Sequence, residues 1–229
     1  MTLSACESTE DESAKIGREA GALAAGPAAL KLGAVNHGVR VSDVTLVKSA
    51  GRTAVAARFT ASSGRPQLNV PVLVDVTGGA GRVLYTNETG GVEASLQRIA
   101  LLRPRQSAWW VDDQVLASQS ATGLKVRVGT GTGPRAGATP AELETKRVRV
   151  GVQSGLSVLS GQLVNRSGKA QSKVPVFAVG VRGGKVVAAG RAIVEELPGR
   201  AGSSAPFQIF LVGSPAGAKF ELTAMPGSA

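Results

Sequence analysis

A ten-residue stretch occurs twice in this chain, and the repetition decides how the rest of the sequence is divided. Residues 63–72 read SGRPQLNVPV, and residues 167–176, which lie 104 positions later, read SGKAQSKVPV. Six of the ten aligned pairs are identical, and Arg65 and Lys169 keep the positive charge. Each copy is typical of a polar turn followed by a strand with a proline near its start, where a missing backbone donor is tolerated. The sequence therefore predicts a tandem repeat of two similar modules.

Composition and periodicity predict that both modules are built from strands. The chain of 229 residues can hold two modules of roughly 90–100 residues each. Short apolar runs rich in valine are interrupted by glycines and, near the end of each module, alternate with charged residues, which is the pattern of a half-buried antiparallel strand. The predicted strands are 39–48, 53–60, 70–77, 82–87, 95–102, 108–111 and 124–128 in the first module, then 147–152, 156–164, 174–181, 186–195, 207–212 and 219–224 in the second.

The boundaries follow from changes in composition. Residues 1–36 are rich in alanine, glycine and small polar residues and are predicted to form a flexible N-terminal tether. Residues 37–130 form the first predicted β-sandwich, residues 131–145 a linker, and residues 146–229 the second sandwich. Because the linker is rich in glycine, proline and threonine, we expect few contacts to cross it and the second module to fold alone.

The N-terminus carries a short motif. Leu3, Ser4, Ala5 and Cys6 resemble the lipobox of bacterial lipoproteins, and a polar, acidic stretch follows at residues 7–12. In that family the cysteine becomes the first residue of the mature protein and carries a diacylglycerol, so the resemblance implies an extracytoplasmic protein anchored to the cell membrane by lipidated Cys6. The charged and apolar regions of a signal peptide do not precede the motif, so either the start has been trimmed or Met1 lies within the natural signal. The alternative interpretation is a free cysteine in a disordered N-terminus.

The second module resembles a family of small immunoglobulin-like domains of prokaryotic surface and secreted proteins, the FxLYD type. The residues that carry the resemblance are Gly161, Leu163, Val164, Asn165 and Ser167, the hairpin Gly183, Gly184, Lys185, Val186 and Val187, and the turn Leu197, Pro198 and Gly199 ahead of Phe207. The chain departs from that family at residues 178–180, where Ala, Val and Gly replace the signature aromatic residue and Asp. The resemblance implies an all-β fold with two tandem immunoglobulin-like antiparallel β-sandwiches.

One cluster in the first module is the candidate binding surface. Trp109 and Trp110 are the only tryptophans, and Asp112 and Asp113 follow them. Adjacent residues of a strand point to opposite faces, so we expect one ring in the core and the other more exposed. An exposed tryptophan beside two acids predicts a binding surface. In the alternative interpretation, the outer ring covers a neighbouring strand or the junction between the modules.

The remaining composition narrows the functional classes. The only cysteine is Cys6 and the only histidine is His37, so neither the usual zinc sites nor a Ser-His-Asp set in each module is expected. The net charge is +10, but the cations are scattered and only eight residues are aromatic, so nucleic-acid binding is not expected. No stretch approaches the roughly 20 apolar residues of a membrane span.

We therefore expect a surface-anchored bacterial lipoprotein with a non-catalytic binding or structural role and with neither cofactor nor metal. Its expected partners are the membrane, through the lipid anchor, and a protein or an anionic component of the cell envelope. The alternative is a secreted or surface anion-binding module for nucleic acid or anionic cell-wall polymer, which the net charge of +10 favours.

Overall fold

A computed structural model describes residues 29–49, 51–117, 120–133 and 142–227. These residues form antiparallel strands with one short helix, α1 (Ala94–Gln97), and a single 3-10 turn, so the all-β prediction is confirmed. The strands of the first sandwich are β1 (Val39–Ser49), β2 (Arg52–Ala61), β3 (Gln67–Thr77), β4 (Val83–Thr86), β5 (Arg98–Leu102), β6 (Ser107–Asp112) and β7 (Gly123–Val128). Those of the second are β8 (Leu143–Gln153), β9 (Leu156–Asn165), β10 (Gln171–Arg182), β11 (Lys185–Leu197), β12 (Ser204–Phe210), β13 (Val212–Gly213) and β14 (Lys219–Ala224).

The two sandwiches have similar strand pairing, although β10 pairs with two strands where β3 pairs with three, and only the second has a strand in the place of β13. In the first, β2 lies between β1 and β6, and β3 pairs with β4, β5 and β7. In the second, β9 lies between β8 and β12, and β10 lies between β11 and β14. Each sandwich therefore has one three-stranded sheet and one sheet centred on the strand that follows the repeated Ser-Gly turn.

The repeat extends well beyond the ten residues that revealed it. Strands β8 and β9 begin and end 104 positions after β1 and β2. Backbone irregularities recur at the same interval: Asp43 (φ 49°) and Arg147 (φ 53°) lie in equivalent β-bulges, and Gly51 and Gly155 (both φ 77°) lie in equivalent hairpin turns. The bulges and turns are thus part of the repeated unit, although the residues at the bulges differ.

The two sandwiches pack sheet against sheet. Strand β2 is buried on both faces, because its small residues 54–57 allow a sheet to approach from either side. One face covers the first core, and the other packs against β11 and β13, while the neighbouring strand β6 packs against β10. Phe177, Val179 and Ala189 consequently belong to the same buried apolar cluster as the core of the first sandwich. The expectation that few contacts cross between the modules is wrong.

A second apolar cluster lies within the second sandwich, between β10 and β11 on one side and β9 and β12 on the other. Its largest fully buried members include Leu159, Leu163 and Ile209. The β10–β11 sheet therefore separates two cores and, like β2, is apolar on both faces.

Residues next to the predicted boundaries also contact the first sandwich. Leu30, at the end of the predicted tether, is 2% exposed, and its N–H donates to the carbonyl of Glu88 at 3.1 Å. The N–H of Thr132, at the start of the predicted linker, donates to the carbonyl of Leu68 at 2.8 Å. The predicted lipobox and residues 7–28 lie outside the described residues.

Two predicted strands differ from those observed. Residues 95–97 of the predicted strand 95–102 belong to α1, because the Asn87 amide donates to the carbonyl of Leu96 and the Gln97 side chain donates to the carbonyl of Asn87. The predicted strand 207–212 is divided at Leu211, where the chain leaves β9 and joins β11 through β13. Gly213 (φ 100°) is needed there, since an added Cβ would lie 2.2 Å from the carbonyl oxygen of Val187.

Candidate functional site

The four candidate residues lie on β6 or directly after it, at the junction between the sandwiches. Strand β6 is an edge strand of the sheet that packs against β10, β11 and β14. Its alternation directs Trp110 and Asp112 toward the first core and Trp109 toward the second sandwich. Asp113 follows the strand and contacts β11. The structure thus divides the four residues between a core and an interface.

Trp110 is a core residue. Its side chain is fully buried, and its indole N–H donates to the carbonyl of Ser95 at 2.8 Å. The ring meets Phe59 edge to face, with 6.3 Å between the ring centroids. Edge-to-face contact is a favourable geometry for two aromatic rings, and here it stabilises the packing of β6 beside β2.

Trp109 is 4% exposed, so the expected exposed ring is absent. Its indole N–H donates to Glu221 Oε2 at 2.9 Å, and its backbone N–H donates to Thr223 Oγ1 at 3.0 Å. The guanidinium of Arg58 lies 4.5 Å from the centre of the ring and also binds Glu221. The second sandwich therefore covers Trp109, as in the alternative interpretation in which the ring lies at the junction.

Asp112 is fully buried in the first sandwich. Its Oδ2 accepts a hydrogen bond of 2.6 Å from the hydroxyl of Tyr85, and its Oδ1 accepts one of 3.0 Å from the N–H of Gln114. Burial raises the pKa of Asp112 to about 6, although both hydrogen bonds favour the ionised form. Burial also raises the pKa of Tyr85, and the neighbouring carboxylate adds to that effect.

Asp113 is bound by an arginine of the second sandwich. The backbone N–H of Arg191 donates to Asp113 Oδ2 at 3.2 Å, and Arg191 Nε lies 3.5 Å from Oδ1. The same guanidinium binds Glu93 and, at 2.7 Å, the hydroxyl of Ser95. Burial raises the pKa of Asp113, and Arg191 counteracts part of that rise. The Arg191 cluster, which we define as Arg191, Asp113, Glu93 and Ser95, therefore joins three segments of the chain.

An open groove of about 590 Å³ adjoins Trp109 at the junction. Asp43, Thr45, Arg58 and Trp109 line it from the first sandwich, and the β10–β11 hairpin lines it from the second through Val181, Gly184, Lys185 and Val186. Asp43 and Arg58 are paired at 3.2 Å. Two of the lining residues, Arg58 and Trp109, bind Glu221 of the second sandwich.

Sequence reasoning identified one side of this junction and missed the other. It named neither Arg191 nor Glu221, which lie 78 and 112 positions from their partners Asp113 and Trp109. A signal was present for Arg191: it is the only charged residue in the apolar run 186–194, and a charged residue is seldom buried without a partner. Glu221 lies in an alternating strand and carries no comparable signal.

His37 and two asparagines have ordinary structural surroundings. His37 is exposed just before β1. Asn87 and Asn165, which fit the glycosylation sequon, are fully buried, and each amide donates two hydrogen bonds to backbone carbonyls. Across the described ranges, no group of three or more His, Cys, Asp or Glu residues is placed to hold a metal ion. No helix in the described part of the chain is both long enough and apolar enough to span a membrane.

Comparison with known proteins adds no assignment: no protein-family model matches the chain, and no curated protein matches its sequence.

Proposed function

We propose that the protein is a non-catalytic component of the bacterial cell surface, a lipid-anchored body of two joined sandwiches that binds or supports other envelope components. The observation that carries the proposal is the junction, where an apolar cluster runs without interruption from the first sandwich into β10 and β11. A body joined in this way holds its two ends at a constant separation, which suits a structural or binding role at a surface.

The ionisable groups of the junction support a non-catalytic role. Asp112, Asp113, Arg191 and Glu221 each bind another group of the protein. A general acid or base must reach a substrate proton, whereas Asp112 is bound inside the first sandwich and the other three groups are bound across the junction. Their arrangement favours cohesion between the sandwiches over turnover of a substrate.

The immunoglobulin-like assignment is part of the same proposal. Its support is the similar strand pairing of the two sandwiches and the turn after β9, in which Asn165 Oδ1 accepts hydrogen bonds from the N–H and hydroxyl of Ser167. The Asn165 amide also donates to the carbonyl of Pro198 at 2.8 Å, so the two turns through which the second module resembles the FxLYD type contact each other.

The anchor is tested through Cys6. In bacterial cells that express the chain behind a complete signal sequence, we expect the protein to fractionate with membranes and Cys6→Ser to release it or leave it unprocessed. A diacylglycerol supplies two acyl chains, which give stable attachment where one chain does not. Ser8→Ala, just after the motif, is the matched control and should fractionate like the unaltered protein. Equal membrane fractions for Cys6→Ser and the control would refute the anchor.

A second candidate function, anion binding, is favoured by one observation. Arg147 and Arg149 are exposed side by side on β8 and have no ion-pair partner among the described residues. The cations of the junction, Arg58 and Arg191, are by contrast bound to carboxylates.

A further inference from the structure

The tandem repeat gives each surface of one sandwich a counterpart on the other. The sheet β1–β2–β6 of the first sandwich is the surface on which the second sandwich packs. Its counterpart is the outer face of the sheet β8–β9–β12, which no described segment covers and which has a shallow depression of about 660 Å³. We name this uncovered surface the distal face and define it by Arg147, Arg149, Ser160, Gln162, Pro206 and Gln208.

Strand register allows the two surfaces to be compared row by row. In the covered sheet, one row across the three strands is Thr45, Ala56 and Val111. The equivalent row of the distal face is Arg149, Ser160 and Gln208. Ala56 and Val111 are fully buried, whereas all three residues of the distal row are exposed.

A second row loses its aromatic residue and gains a lysine. Ser42, Arg58 and Trp109 of the covered sheet correspond to Lys146, Gln162 and Pro206 of the distal face. At the bulge between these rows, Asp43 is replaced by Arg147. Across the two rows and the bulge, the covered sheet has two fully buried apolar residues, a tryptophan, two hydroxyls and an aspartate paired with an arginine, whereas the distal face has three cations, two amides, a hydroxyl and a proline.

This exchange indicates the chemistry of a partner. A third sandwich that docked as the second docks on the first would need a buried apolar centre, and the distal face has replaced that centre with polar groups. Arginine binds carboxylate and phosphate oxygens through two parallel hydrogen bonds, and amides and hydroxyls bind the hydroxyls of a polyol or sugar. Phe210 is the only exposed aromatic residue on this sheet, so stacking of nucleobases has little support.

We propose that the distal face binds a linear anionic polymer in which phosphate or carboxylate groups alternate with hydroxyl-bearing units. Arg147 and Arg149 bind the anionic groups, and Ser160, Gln162 and Gln208 bind the hydroxyls. The choice of an envelope polymer rests on the proposed cell-surface location, whereas binding by the distal face is measured on purified protein and does not depend on the anchor.

The test measures binding of the full-length purified chain to two probes, poly(glycerol phosphate) and polygalacturonate, by titration at several salt concentrations. Saturable binding to either is expected, and the stronger probe identifies phosphate or carboxylate as the preferred group. The variant Arg147→Gln/Arg149→Gln should bind roughly tenfold more weakly and should lower the slope of log affinity against log salt by about one to two. Glutamine keeps the Cβ at Arg147, so the backbone conformation there (φ 53°) is no more strained than before.

The matched control is Lys169→Gln/Arg200→Gln, which removes the same charge from exposed turns of the same sandwich. Equal losses in the two variants would show that binding follows net charge alone and would overturn the site. Absence of saturable binding to both polymers, or tighter binding to single-stranded DNA than to either, would overturn the proposed ligand class. Membrane fractionation of the Arg147→Gln/Arg149→Gln variant should be unchanged, which separates failure of this site from failure of the anchor.

Discussion

Truncation of Arg191 offers the most direct test of the junction. The Arg191 side chain is 6% exposed, and it binds Asp113, which is 14% exposed, and Glu93, which is 38% exposed. Arg191→Ala removes the cation shared by the two carboxylates and leaves Asp113 unpaired where solvent reaches it poorly. Breaking a buried ion pair costs about 3–5 kcal/mol, and because Glu93 remains partly hydrated we expect a loss of about 3 kcal/mol in the free energy of unfolding.

The assay is urea unfolding followed by tryptophan fluorescence, since Trp109 and Trp110 both lie next to the junction. With an m-value of about 2–3 kcal/mol per molar, a loss of about 3 kcal/mol lowers the midpoint by about 1–1.5 M. Arg182→Ala is the matched control, because Arg182 is exposed and its guanidinium donates to the carbonyl of Ala216, at 2.7 Å. Its expected cost is about 0.5 kcal/mol.

A double-mutant cycle measures the interaction energy between Arg191 and Asp113 apart from their other contacts. If Arg191 and Asp113 interact as the distances indicate, Asp113→Ala should cost about 1–3 kcal/mol less in the Arg191→Ala background than in the unaltered protein. A midpoint for Arg191→Ala within about 0.2 M of the Arg182→Ala control would refute the assignment of Arg191 as the bond between the sandwiches.

Two further predictions concern the same region. Residues 142–229 produced alone should unfold at a lower urea concentration than the full chain and should bind a hydrophobic dye. The reason is that Phe177, Val179 and Ala189 lose the sheet that covers them. An equal unfolding midpoint and no dye binding would show that the two sandwiches are independent. Asp112 has a folded-state pKa of about 6 against an ordinary value of 3.8, so its contribution to stability is present below about pH 4 and is lost as the pH rises through 6. The stability of Asp112→Asn relative to the unaltered protein should therefore improve by about 2–3 kcal/mol between pH 4 and pH 8, and a difference that does not vary with pH would contradict the burial of this carboxyl group.

The fold class and the repeat could be read from the sequence because both depend on local information. Strand alternation has a period of two residues, and the Ser-Gly turn with its Val-Pro-Val strand repeats without a gap, so β3 and β10 could be aligned from the letters alone. The lipobox and the FxLYD-type resemblance are also local, and they stay predictions. The same reasoning placed Trp109 and Trp110 on opposite faces of one strand, and the structure agrees.

What the tertiary structure alone decided is which faces are covered. Trp109 was expected to be exposed because its own sandwich does not bury it; the second sandwich does, through Glu221 and Thr223 more than a hundred positions away. The helix α1, which replaces the start of a predicted strand, also depends on a contact outside its own segment. The Asn87 side chain holds it by a hydrogen bond to the carbonyl of Leu96, and strand periodicity does not encode that bond. A sheet face is buried when another sheet packs against it. The free energy of that packing depends on residues that are far apart in the sequence, so the pattern of any one strand does not predict it.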